Sequence, residues 1–290
     1  TPKITSIFCT PFRRDAPLLP PGKTKAFTLS YDDGVIQDRR FIELLKKYKL
    51  QATFNLNSER FDSEEQYSHI RVGHCRVMKK EVRDLYAGFE VAGHTATHPD
   101  LAQLPMSTAS WEVCLDKNNL EQITGKIVTG FAYPFGTWNH ETLDVLKAAG
   151  IRYARTVKST HNFRLPENFL LWDPCCHHDD PELMNLAEKF LALDGTNLKN
   201  SLSVFYVWGH TYEFDDHENW DRIEALFQKI SGHDTVWYAT NGEIEEYAAA
   251  VKSLRYSSDG SVIYNPTATA VWLRILDQDY VIRPGETVNL

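Results

Sequence analysis

Apolar runs without polar alternation and apolar positions at helical spacing follow one another along this chain, and their order predicts strands alternating with helices. Lys25 to Tyr31 reads as a buried strand that runs into Asp32-Asp33-Gly34. Phe41, Leu44, Leu45 and Tyr48 then recur at helical spacing, leaving Arg39, Arg40, Lys46 and Lys47 for solvent. Further strands are expected at 51–56, 89–92, 127–133, 152–156, 203–208 and 235–239. Helices are expected at 79–87, 107–124, 139–149, 181–194, 220–230 and 240–252. The punctuation agrees with this reading. Gly88, Gly125, Gly150 and Gly195 follow helix ends, Asn139 starts a helix, and Thr240 with Glu243 forms a capping box. Strands alternating with amphipathic helices imply a parallel sheet with crossover helices, and about seven such units suggest a closed or nearly closed barrel.

The texture differs at both ends. Residues 1–22 hold Pro2, Pro11, Pro17, Pro20 and Pro21 and read as an irregular leader. Residues 23–252 carry the α/β units. Residues 253–290 read as a small antiparallel β appendage, with turns at Ser257 to Gly260 and at Pro284-Gly285.

Composition narrows the classes. The 290 residues, 42% hydrophobic, suffice for one barrel-sized core with an appendage. The net charge of −8 comes with no basic stripe, which argues against a nucleic-acid partner. No run of 18 apolar residues suggests a membrane span. Thr1 opens the chain without a secretory pattern. The expected location is therefore secreted or cell-envelope if a signal was removed, and cytoplasmic otherwise. Cys9, Cys75, Cys114, Cys175 and Cys176 show no C-x-x-C spacing and are expected to be buried free thiols. In Cys175-Cys176-His177-His178, neighbouring side chains on a strand should point to opposite faces, so the four are not expected to share one metal.

Four segments at strand ends carry candidate chemistry, since parallel α/β folds collect their chemistry at carboxyl ends. Asp32 and Asp33 are adjacent carboxylates whose repulsion calls for a cation or a strong donor, although Asp-Asp-Gly is also a good turn. His94 and His98 in Gly93-His94-Thr95-Ala96-Thr97-His98-Pro99 have the spacing that puts two imidazoles on one face of a helical turn and on one metal. Phe131-Ala132-Tyr133-Pro134-Phe135-Gly136 could form a rigid wall with backbone N–H groups for an oxyanion. His210, in Val207-Trp208-Gly209-His210, is placed as a proton donor.

In order and spacing the four segments resemble the motifs of the polysaccharide deacetylase family, the NodB-homology or carbohydrate esterase family 4 domain, over roughly residues 23–252. Ser30 to Gly34 resembles its T-F-D-D-G motif, His94 to His98 its H-[ST]-x-x-H, and Trp208 to His210 its L-x-H. The resemblance implies a deformed (β/α)7 barrel. It also implies Asp32 as catalytic base, Asp33, His94 and His98 as metal ligands, and His210 as general acid. The metal so implied is zinc first, then cobalt, manganese or nickel. The implied reaction removes an acetyl group from an N- or O-acetylated carbohydrate with a metal-activated water, the oxyanion facing the backbone N–H of Phe135.

One position departs from the pattern. The family's third motif usually begins with an arginine that holds the base; here it is Ala132, with Arg155 and Arg164 as candidate replacements. Trp172-Asp173 loosely echoes the fourth motif, which makes Asp173 the expected orienter of His210. Tyr133, Trp138, Trp172 and Tyr212 are candidates for stacking on sugar rings.

Peptidoglycan, chitin oligomers, poly-N-acetylglucosamine and xylan all stay open as substrates. So do hydrolysis of a small amide or cyclic imide on the same scaffold, a non-catalytic metal-stabilised carbohydrate-binding protein, and an iron oxygenase. The β appendage is a candidate homodimer contact.

Overall fold

The computed structural model describes residues 15–194, 202–275 and 278–290. Its frame is a parallel sheet whose central strands are buried on both faces, which is why their sequences lack polar alternation. In chain order the elements are β1 (Asp15–Leu18), β2 (Lys25–Asp32), α1 (Asp38–Tyr48), β3 (Thr53–Leu56), β4 (Glu64–Glu65), β5 (His74–Cys75), α2 (Val82–Leu85) and β6 (Glu90–Gly93). Next come α3 (Met106–Thr124), β7 (Gly130–Ala132), α4 (His140–Ala148), β8 (Tyr153–Arg155), β9 (Cys176–His177), α5 (Leu183–Leu191), β10 (Ser203–His210) and α6 (Tyr212–Asp216). Then follow α7 (Trp220–Ile230), β11 (Val236–Tyr238), α8 (Asn241–Ser253), β12 (Arg255–Tyr256), β13 (Val262–Tyr264), β14 (Val271–Ile275), β15 (Gln278–Ile282) and β16 (Thr287–Asn289).

Seven parallel strands run in the order β8-β7-β6-β3-β2-β10-β9. The remaining parallel strand, β11, shares an edge of β2 with β3: β3 pairs with Ser30–Asp32 and β11 with Lys25–Phe27. The curled sheet closes through one segment. Trp172 bridges to Arg155 on β8, the Cys175 N–H donates to the Tyr206 carbonyl, and β9 then pairs with β10. This is the expected deformed (β/α)7 barrel. Its core includes Phe27, Leu29 and Tyr31 of β2 and Phe205 and Val207 of β10, against Phe41, Leu186, Phe227 and Ile244 of the helices.

The ends differ from the expectation. Within the leader, residues 1–14 lie outside the described residues, but Asp15–Leu18 is a strand that pairs antiparallel with β14. The tail makes two three-stranded sheets, β1-β14-β15 and β12-β13-β16, rather than one. Local propensity could not reveal β1, because its partner lies over 250 residues away and its own sequence contains Pro17. The helix expected at 181–194 is shorter at both ends, and Gly195 lies outside the described residues. The 79–87 segment splits into a 3-10 turn and one helical turn. Cys75, Cys114, Cys175 and Cys176 are free, yet only Cys175 and Cys176 are buried; Cys114 is exposed, against the expectation, and Cys9 lies outside the described residues. Among the described residues no helix is long and apolar enough to cross a membrane.

Candidate active site

The carboxyl ends of β2, β6, β8 and β10 deliver Asp32, Asp33, His94, Arg155 and His210 to one mouth of the barrel. All but Arg155, which is fully buried against Asp32, line a cleft of about 520 Å³ that also takes in Tyr67, His74, His98, Tyr133, Phe135, Trp208 and Tyr212. That size suits a small-molecule or sugar-sized ligand.

Asp33, His94 and His98 converge as expected, with donor atoms all within 4.8 Å of one another. They do so without the helical turn expected from their spacing. The segment from His94 to Pro99 is irregular, with Thr95 and His98 both left-handed at φ of 65° and 63°. Asp33 is left-handed as well, at φ 84°. Such backbone costs about 1–3 kcal/mol per residue and persists where the surroundings over-determine it. Here they do: the buried Asp116 carboxylate accepts the Ser58 and His94 N–H groups, and Asn57 donates to the carbonyl of Thr95.

The atoms fit a cation. His94 Nδ1 lies 2.8 Å from the Ala132 carbonyl, which fixes the proton there and leaves the Nε2 lone pair facing the cleft. Asp33 Oδ1 is buried without a hydrogen bond, 3.9 Å from His94 Nε2 and 3.8 Å from His98 Nε2. Burial lowers the pKa of His94, and burial followed by the neighbouring His94 pushes His98 down to about 4, so both rings are neutral at pH 7. A carboxylate oxygen and two imidazole lone pairs match a zinc-type donor set. Two residues absent from the sequence reading support the carboxylate. Arg76 donates to the Asp33 carbonyl and lies 3.2 Å from Oδ1, while His74 Nε2 sits 3.1 Å from Oδ2. Both come from the β4–β5 hairpin region between β3 and α2, where periodicity gave no functional signal.

Asp32 lies beside the metal set, 3.8 Å from His94 Nε2 and 3.9 Å from His210 Nε2. Asn55 donates to Oδ1 at 2.7 Å, and Arg155 donates to Oδ2. Burial alone would raise its pKa, but Arg155 above all, with His94 and His210, outweighs this and holds the carboxyl below its usual range. Between the two candidate arginines the structure thus selects Arg155. It is fully buried, stacked 4.3 Å from the Trp208 ring, and the register partner of Ala132.

His210 departs from the expected partner. Asp173 accepts a hydrogen bond from Thr156 at 2.5 Å and lies 3.6 Å from the Lys158 amine, away from His210. Glu213 takes the place expected for it: its Oε2 accepts the His210 backbone N–H at 2.8 Å and lies 3.2 Å from Nδ1. Burial lowers the His210 pKa, yet Glu213 and then Asp33 and Asp32 lift it to about 9. The signal for Glu213 was present at three residues beyond His210, where the chain turns into α6.

The aromatic candidates divide. Tyr133 and Tyr212 line the cleft. Trp172 is 1% exposed and packs in the core against Tyr153, Phe169 and Tyr206, so it is no sugar platform. Trp138 is exposed outside the residues lining the cleft. Phe135, left-handed at φ 59°, sets its exposed ring 4.8 Å from that of His98 and lines the cleft.

A family model described as polysaccharide deacetylase matches residues 20–154. No curated protein matches the chain. Among solved structures the fold is similar to that of a Mycobacterium smegmatis protein assigned to the polysaccharide deacetylases, with 18% identity, 82% of this chain and 94% of that one covered, and a TM-score of 0.58. It is also similar to a variant of the peptidoglycan deacetylase PdaC from Bacillus subtilis, with 17% identity, 81% and 96% covered, and a TM-score of 0.52. A Streptococcus pyogenes deacetylase, PplD, is matched over only 61% of its length, with 22% identity, 50% of this chain covered and a TM-score of 0.43. The segment that matches the polysaccharide deacetylase model holds Asp32, Asp33, His94 and His98, which meet in one cleft, and the barrel around them is the fold those structures share.

Proposed function

We propose that the protein is a metal-dependent hydrolase that removes acetyl groups from an acetylated carbohydrate. The observation that carries this reading is the meeting of Asp32, His210 and a metal-type donor set in one cleft.

Asp33, His94 and His98 would hold the cation, zinc being the best match to the donors. Bound there, the cation supplies a water acidic enough to attack near neutral pH and polarises the acetyl carbonyl. The chain's own groups do the rest. Asp32 takes a proton during attack on the acetyl carbon, and Arg155 and Asn55 keep its carboxylate aimed and ionised. The Phe135 backbone N–H is assigned to the developing oxyanion. His210 gives its proton to the leaving nitrogen or oxygen, without which an amine leaves poorly. Tyr133 and Tyr212 line the space in which a sugar ring would lie.

Acetate release from N-acetylglucosamine oligomers, chitin fragments and acetylated xylan, measured against small cyclic amides, tests this directly. Turnover of the amides alone would move the activity to another C–N bond, and a metal-loaded protein inert toward both sets would leave it a binding protein.

A further inference from the structure

The run Cys175-Cys176-His177-His178 has no part in the chemistry above, yet it reaches it. Its cysteines are buried. β9 ends at His177, so the strict alternation of a strand stops there, and both imidazoles approach one carboxylate. His177 Nε2 lies 3.2 Å from Glu213 Oε2, and His178 Nε2 lies 3.4 Å from the same atom. His210 Nδ1 is the third ring nitrogen on it, at 3.2 Å.

Such spacings also suit a second divalent cation on His177, His178 and Glu213, so the position of the proton decides. The Asp179 backbone N–H donates to His177 Nδ1 at 3.1 Å. With that lone pair in use, the neutral ring carries its proton on Nε2, aimed at Glu213. A protonated nitrogen cannot ligate a metal. His178 contributes packing instead: it is 1% exposed, neither ring nitrogen makes a hydrogen bond, and it stacks on Tyr31 at 5.7 Å.

We propose that His177 is a positioning residue for His210, acting through Glu213. The proposal rests on the reading of His210 as the general acid. Glu213 stands on α6, a helix of only five residues, and a free glutamate side chain there would sample several rotamers. A donor from β9 on one side and His210 from β10 on the other pin Oε2 in place. The acid is then held by an imidazole–carboxylate–imidazole chain drawn from β9, α6 and β10. Asp32 of β2 and Asp33 just after it face His210 across the cleft, and His178 and Asp179 flank His177.

The test uses metal-loaded protein carrying His177→Phe, which keeps a ring without the donor, and His177→Gln, which keeps a donor. Imidazole NMR without substrate reads the His210 Nδ1–H; kinetics on N-acetylglucosamine oligomers read kcat and KM; elemental analysis counts metal. In His177→Phe the Nδ1–H signal should lose its hydrogen-bonded position, and kcat should fall about tenfold, a fraction of what a general acid contributes. KM should stay within about twofold, and His177→Gln should recover most of kcat. A folded His177→Phe with an unchanged signal and unchanged kcat overturns the proposal, as does loss of a second bound metal ion from either variant. A wild-type protein that releases no acetate sinks the acid reading instead, while the NMR signal still decides whether His177 holds Glu213 on His210.

Discussion

Arg155 stands opposite Ala132 in the β7–β8 register, and its guanidinium reaches the carboxylate of Asp32. The positive charge that the family's third motif places on one strand is supplied here from its neighbour. Registered residues on adjacent strands point to the same face, so the exchange moves the side chain by one strand and leaves its target in reach. Arg155→Ala should strand a buried carboxylate and lower stability by about 3–5 kcal/mol, read as a drop in thermal midpoint. The double variant Ala132→Arg with Arg155→Ala should recover part of both stability and turnover. A double variant no better than Arg155→Ala would show that the two positions are not equivalent.

The His210–Glu213 pair fixes a pH dependence. His210 is raised to about 9, above its unfolded value near 6.5. The pair's stabilisation is therefore fully present below about pH 6.5 and is lost as pH rises through about 9. Turnover that needs protonated His210 should decline over the same rise. Glu213→Gln removes the main charge that lifts His210, so the alkaline limb of the pH–rate profile should move down by about one unit or more. An unmoved limb would mean that another group sets it.

Gly209 carries a packing constraint beside the acid. A Cβ there would meet His178 Nδ1 at 2.0 Å, with the rigid ring behind it. Gly209→Ala should cost about 1–3 kcal/mol by overpacking and should push His210 off its Glu213 contact. Unchanged thermal unfolding would show that the His178 ring can shift freely.

The metal centre should behave as a unit. Asp33→Ala leaves Arg76 buried beside an emptied position, and His98→Ala removes a proposed ligand without that charge penalty. Elemental analysis should find metal lost from both, and chelation of the wild type should lower its thermal midpoint. Only Asp33→Ala should also destabilise the metal-free protein.

Much of this was legible in the sequence because it is local. Continuous apolar runs and helical periods gave the barrel units, strand ends placed Asp32, Asp33, His94 and His210, and spacing paired His94 with His98. What could not be read depends on side chains meeting across distant segments. Arg155 and Arg164 were indistinguishable until the register set one opposite Ala132. His74 and Arg76 lie in a hairpin region to which no sequence signal assigned a role, yet it folds onto Asp33. Asp173 looked like the orienter by its likeness to the family's fourth motif, and Glu213 won because the turn after β10 brings it back onto His210. The His94–His98 spacing suggested a helical turn, but two left-handed residues achieve the same convergence, an arrangement that propensity disfavours and tertiary contacts enforce.

The most direct test of the account is to measure bound metal and acetate release together in the wild type and in Asp32→Asn. The account predicts equal metal content in both proteins, with acetate released from an N-acetylated sugar by the wild type and slowed about 10²–10⁴-fold in Asp32→Asn. Full turnover by Asp32→Asn, or a metal-loaded wild type that releases no acetate from any acetylated carbohydrate, would contradict it.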